Sequence, residues 1–134
     1  MSFNASAGKA YRLWMRGRTT NNSPYNDSVF VQFSGSVDSA GTPTFRIGTT
    51  GATSVVLEDC GGCGLSGWGW QDNGYGTGVL GPVIYFAASG TQTIRVQRRE
   101  DGISIDQIVL SPGTYLSTSP GATKNDTRIL PPGF

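Results

Sequence analysis

From Ala10 to Gly17 the chain alternates strictly: Tyr11, Leu13 and Met15 share one face, while Arg12, Trp14 and Arg16 share the other. A period of two fits a pleated strand and cannot lay an apolar stripe along a helix. Short runs of β-branched and aromatic residues follow at 28–33, 44–48, 54–58, 82–87, 92–98 and 104–110. Turn formers separate them, including the Asp101-Gly102 step, and no helical window or internal repeat interrupts them. With 20 glycines and 7 prolines in 134 residues, this spacing predicts an all-β fold, a β-sandwich of the jelly-roll kind built from short antiparallel strands. Residues 1–112 read as that one domain, and 113–134 as an extended strap or a disordered tail. Because residues 1–9 lack the order of an export signal and lead directly into a strand, the chain reads as a fragment whose signal lies upstream.

Composition excludes several classes of function. The formal charge is +1 and the arginines are scattered, so nucleic acid is not an expected partner. No apolar run reaches the roughly 20 residues of a membrane-spanning helix. Histidine is absent, which removes the usual neutral-pH base, the commonest zinc ligand and the Ser-His or Cys-His nucleophile pairs. Catalysis would rest on carboxylates. A glycosidase needs two of them roughly 5–9.5 Å apart across a sugar, and nothing in the spacing of the nine acids singles out such a pair. The expectation is a protein that is not an enzyme.

The segment 58–76 carries the strongest functional signal. Glycines alternate with Trp68 and Trp70, and Asp72, Asn73 and Tyr75 follow. Rings on a backbone that approaches a ligand closely, with amides and acids beside them, suit a saccharide: its C–H face stacks on the ring and its hydroxyls pair with the polar groups. The competing reading places the two tryptophans in the core. Cys60 and Cys63 form a lone C-x-x-C without the second pair or histidines of a zinc site, so no metal is assigned to them. They read as a local disulfide, with two free thiols as the alternative; an oxidised pair implies an extracellular compartment. The polar loop 19–27 presents Tyr25 and Asn26, and a later turn presents Glu100 and Asp101.

Taken in order, Tyr11-Arg12-Leu13-Trp14-Met15-Arg16, Asn26-Asp27-Ser28-Val29-Phe30-Val31, Trp68-Gly69-Trp70, Gly90-Thr91-Gln92-Thr93-Ile94-Arg95-Val96 and Arg99 to Leu110 resemble the β-jelly-roll carbohydrate-binding modules related to families 6 and 35 and the malectin-like domains. The resemblance spans most of residues 10–112. It implies a non-catalytic, secreted module whose cleft lies among loops at one end of the sandwich, where an aromatic pair holds a sugar ring and an Asn makes the central polar contact. The matching loops are 21–27, 68–75 and 100–104, with Tyr25 and Trp70 as the expected ring pair. Where such modules carry the ligand Asn, this chain has Ser104. The family's opening strands and the structural calcium site near them would precede Tyr11, where only Ser2 to Lys9 stand; calcium remains open, and no other cofactor is expected. A sheet short of its first strands exposes an edge that pairs with a second copy of the chain. Two other readings compete with polysaccharide binding: an adhesion or structural sandwich, and a carboxylate-based hydrolase or lyase.

Overall fold

Residues 12–19 form the middle strand of a three-stranded antiparallel sheet, and the reason for that position is the burial of both their faces. The computed structural model describes residues 1–133. In chain order the strands are β1 (Ser2–Ala5), β2 (Arg12–Thr19), β3 (Ser28–Phe33), β4 (Ser36–Val37), β5 (Thr53–Val56), β6 (Gly69–Asp72), β7 (Tyr85–Phe86), β8 (Gly90–Arg98) and β9 (Ile103–Ser111). One sheet has the order β1-β8-β3-β5, the second β6-β2-β9, and a small ribbon pairs β4 with β7. Every strand-to-strand pairing is antiparallel. Among the described residues the only helical geometry is two 3-10 turns, Thr20–Asn22 and Pro24–Asn26, both between β2 and β3.

The two larger sheets face each other across one core. Leu13 and Met15 of β2 and the isoleucines of β9 meet Val29, Val31 and Phe33 of β3, Val55 of β5 and Ile94 of β8. Fully burying such a side chain contributes about 1.5–3 kcal/mol. At one flank Phe3, Tyr11, Phe33 and Phe86 interlock edge to face at centroid distances of 5.4 to 6.3 Å. β1 supplies Phe3 to this group, so residues 2–5 are a working edge strand.

The outer face of β6-β2-β9 is buried too, because the C-terminal segment crosses it. Trp14, Trp70 and Val109 pack there against Tyr115 and Leu130. Asp126 is the fastener: its carboxylate accepts from Arg16 Nε (2.8 Å), Trp70 Nε1 (3.1 Å) and the backbone N–H groups of Ala122 and Arg128. Two glycines permit the close approach. A Cβ on Gly69 would strike the Thr123 carbonyl, and one on Gly121 would meet Asp126 and the Trp70 ring. Tyr115, Asp126 and Leu130 thus lay the C-terminal segment over the sheet as a strap.

β9 keeps both of its faces occupied through a register shift. Arg16 pairs with Gln107 but Gly17 with Ile105, so Asp106 is an extra residue. Ile103 and Ile105 on one side of it, and Ile108 and Leu110 on the other, all reach the core. Asp106 and Gln107 both turn outward, to Arg16 (2.5 Å) and to Leu130 of the strap.

Three expected segments differ. Residues 44–48 are not a strand; Phe45 has φ of 50° and Arg46 makes only a single bridge to Phe33, and the chain curls so that the carbonyls of Arg46, Thr49 and Gly51 accept from the Gln32 amide. Of residues 82–87 only Tyr85 and Phe86 form a strand. The glycine-rich region, read as one long loop, contains β6.

Candidate functional site

The end of the sandwich where β2 runs out brings three loops together. Thr20 donates from both its N–H and its hydroxyl to the Gly102 carbonyl, each at 2.9 Å. The Asn22 side chain accepts from Gly67 N–H at 3.0 Å. The 20–26 turns are thereby tied on one side to the β8–β9 turn and on the other to the stretch entering β6. Between them lies a groove of about 430 Å³ lined by Arg18, Thr19, Thr20, Asn21, Asn22, Gly67 and Ser104.

The backbone at this groove departs from common geometry. Asn21 and Asn22 adopt φ of 56° and 51°, two consecutive left-handed residues. Asn tolerates that region better than other non-glycine residues, and strain of this kind collects at functional sites. Both side chains stand exposed. Thr19 adds a buried hydroxyl that has no hydrogen-bond partner, a kind of group that native structures seldom leave unpaired.

Trp68, the residue after Gly67 of the groove lining, is half-buried. The guanidinium carbons of Arg16 and Arg18, two residues apart on β2, lie 4.9 and 5.0 Å from its ring centroid. These are cation–π distances, and the second ties the indole to Arg18, a residue of the groove lining. On the far side of the turns Tyr25 is 83% exposed. Asn26, oriented so that its amide donates, reaches the carbonyls of Tyr25 and Asp101.

A carboxyl pair underpins the same loops. Asp27, only 2% exposed, donates its N–H to Glu100 Oε2 at 2.9 Å and accepts from Glu58 N–H at 3.0 Å. Burial pushes the Asp27 carboxyl up from 3.8 to about 6; the Glu58 N–H opposes this, while the hydrogen bond to Glu100 and the charges of Glu100 and Glu58 add to it. Burial pulls the Glu100 carboxyl the same way, but the Asp27 N–H and carboxyl, the Ser28 hydroxyl and Arg99 outweigh it, so Glu100 sits below its ordinary value. Glu100 therefore keeps the charge while Asp27 holds the proton longer.

The expected site residues divide into two groups. Tyr25, Asn26, Trp68, Glu100, Asp101 and Ser104 lie together at this end. Trp70, Asp72, Asn73 and Tyr75 do not. Trp70 is a correction: it is fully buried under the strap with Nε1 bonded to Asp126, so its ring offers no face to a ligand. Asp72 is likewise structural, buried opposite Arg12 at 3.6 Å and accepting from the N–H groups of Gly74 and Gly81. Asn73 donates to the Thr53 hydroxyl and the Pro82 carbonyl, closing the base of the same loop. Tyr75 is exposed on that loop, which leaves β6 at the end opposite Trp68. Glu100 serves its Asp27 and Arg99 contacts, and Asp101 pairs with Arg98 at 3.1 Å.

Arg18, Asn21 and Asn22 went unassigned as site residues in the sequence, although the Asn-Asn step is itself a left-handed signal. Cys60 and Cys63 are joined in a disulfide, as expected. Among the described residues no group of three or more acids, cysteines or histidines is arranged to hold a metal ion. Among these residues no helix is long and apolar enough to cross a membrane. Comparison of the chain with protein-family models, curated proteins and solved structures found no match.

Proposed function

We propose that this domain is a non-catalytic, extracellular saccharide-binding module whose site is the Trp68 groove. The observation that carries the reading is a half-buried indole next in the chain to Gly67 and in cation–π contact with Arg18, both of which line a groove that also holds two exposed asparagines and the Ser104 hydroxyl. That is the pairing of flat apolar face and polar rim that a pyranose requires. The resemblance to β-jelly-roll carbohydrate-binding modules supports it, with Trp68 taking the part first given to Trp70 and with Asn21 and Asn22 near the place where the final-strand Asn is replaced by Ser104. No carboxylate lines the groove, which favours binding over hydrolysis. The disulfide is compatible with an oxidising, extracellular setting.

One stacked ring beyond its area burial contributes about 0.5–1.5 kcal/mol, and each net hydrogen bond about 1 kcal/mol. After ordering costs the affinity falls in the micromolar-to-millimolar range. Affinity gel electrophoresis against a panel of soluble polysaccharides tests the reading. Retardation that disappears in Trp68→Ala and persists in Tyr75→Ala supports it. Equal retardation of all three proteins, or none with any polysaccharide, refutes it.

A second reading, self-association, is favoured by a separate feature. β1 and β9 are edge strands, one in each sheet, and between them opens an apolar groove of about 280 Å³ lined by Met1, Phe3, Ile94, Ile108 and Leu110, among others. Light scattering at rising concentration reads this directly; a monomer throughout refutes it.

A further inference from the structure

We propose that Asp27 and Glu100 form a proton-operated latch: while the pair holds one proton, the turns 20–27 and 99–102 stay clasped together, and losing that proton lets them part. The device rests on the carboxyl cluster and not on what the groove binds, so it goes beyond the saccharide reading.

Three separate stretches of chain meet at Asp27. Its N–H donates to Glu100 Oε2 (2.9 Å) in the β8–β9 turn. Its side chain accepts from the Glu58 N–H (3.0 Å) and its carbonyl from the Leu57 N–H (2.9 Å), both just past β5. Ser28, wholly buried, extends the clasp, because its carbonyl accepts from the N–H groups of Arg99 and Glu100 at 3.2 and 3.3 Å. Further along the turn, the Gly102 carbonyl takes both donors of Thr20, and the Asn26 amide reaches the Asp101 carbonyl. These last bonds join neutral groups, so any response of the clasp to pH lies with the acids.

The groups that face Asp27 set the direction of that response. Glu58 and Glu100 are both acids. Arg99 is bonded to Glu100 Oε1 (3.2 Å) and to the Ser28 hydroxyl (2.9 Å), Arg98 and Asp101 pair with each other at 3.1 Å, and residues 20–26 hold no charged side chain. A neutral Asp27 carboxyl donates its proton to Glu100 and needs no counter-ion. An ionised one is a buried charge beside two other carboxylates. Burial foremost, opposed by the Glu58 N–H and reinforced by Glu100 and Glu58, lifts the carboxyl from 3.8 to about 6. Once the turns part, it returns to its ordinary value. Because the folded value is the higher of the two, the clasp is at full strength below 3.8 and weakens as pH climbs through 6. The opening constant then rises about tenfold between pH 5 and 7.5. Thr20, Asn21 and Asn22 line the groove, so the latch sets whether that wall is fixed.

Amide hydrogen exchange of the whole chain at pH 5 and 7.5, corrected for the intrinsic effect of pH on exchange, tests the latch. In the wild type the opening constants of residues 20–27 and 99–102 should rise about tenfold between the two conditions. At pH 7.5 they should also exceed those of residues 13–15 in β2, the mark of local release rather than global unfolding. Asp27→Asn keeps the donor and acceptor of the protonated acid and should hold both turns at their pH 5 level throughout. Glu100→Gln removes a charge that opposes ionisation of Asp27 and should reduce the rise. Equal exchange at both pH values in the wild type, a rise that persists undiminished in Asp27→Asn, or turns that open only together with β2 overturns the latch.

Discussion

Replacing Asp126 by Ala removes the one carboxylate that joins the strap to the sheet, and its cost can be worked from the contacts. Arg16 and Asp126 side chains are each only 4% exposed and meet at 2.8 Å. The substitution leaves the guanidinium buried with Asp106, which is itself 34% exposed, as its remaining counter-ion. It also takes the acceptor from the Trp70 indole and from the N–H groups of Ala122 and Arg128. Removing one partner of a buried pair costs about 3–5 kcal/mol, against a total stability of about 5–15 kcal/mol for a domain. Urea unfolding followed by tryptophan fluorescence reads the loss directly, since Trp14 and Trp70 both lie under the strap. Asp126→Asn, which keeps an acceptor and loses the charge, should fall between the two. The sign with pH follows from the pKa. Burial raises the Asp126 carboxyl, but Arg16 and the backbone N–H groups outweigh it, so it lies below 3.8 in the folded protein. Its contribution is present above the unfolded value and is lost as pH falls through the folded one. Wild type and Asp126→Ala should therefore converge in strong acid. A loss below about 1 kcal/mol at pH 7, outside that 3–5 kcal/mol range, would refute the view that the strap is anchored at this point.

Asp27→Asn should act in the opposite direction. With the folded carboxyl raised to about 6, the stability Asp27 contributes is full below its unfolded value and declines as pH climbs through 6. An Asn mimics the protonated acid, donating to Glu100 and accepting from Glu58 N–H, so at pH 7.5 the variant should be about 1–3 kcal/mol more stable, and the two should match near pH 3.5; a variant weaker at pH 7.5 contradicts the shared-proton reading. The Cys60–Cys63 bridge closes a loop with a sequence separation of only 3, so replacing both cysteines by Ser should cost about 2 kcal/mol or less and leave saccharide affinity unchanged in the affinity gels. Gly69→Ala drives a methyl into the Thr123 carbonyl, whereas Gly61→Ala meets nothing; the first should lower the melting temperature sharply and the second barely, and equal behaviour would argue against a strap held tightly to β6.

Much of the architecture was legible before any coordinates, because alternation records a face. The inward set of β2 follows from period two, and β3 and residues 92–98 of β8 follow from short runs of β-branched and aromatic residues. The shift at Asp106 was not legible, since a bulge reads in one dimension as an ordinary lapse of pattern. The same holds for residues 44–48, where β-branched and aromatic composition matched a strand but the demands of the Gln32 amide bent the chain. Of the loops singled out in the sequence, the structure brings residues 20–26, 67–68 and 102–104 to one end of the sandwich, and it buries Trp70, one of the two expected rings. Trp68 and Trp70 are two apart in the same glycine context and project from the same edge of the sheet. Their fates separate in what the rings meet: the Trp70 indole is buried and bonded to Asp126, whereas the Trp68 ring stays half-buried under Arg16 and Arg18.

Local rules thus determined that this chain is all strand, that it lacks the side chains of histidine-based chemistry, and that aromatic and amide groups crowd its loops. Those properties depend on near neighbours and on composition. What covers an exposed face, which arginine finds a carboxylate and which stays free, and which ring remains open to solvent were decided by contacts between residues a hundred positions apart, such as Arg16 with Asp126. No local pattern encodes such contacts, because their free energy exists only once the sheet and the strap have met.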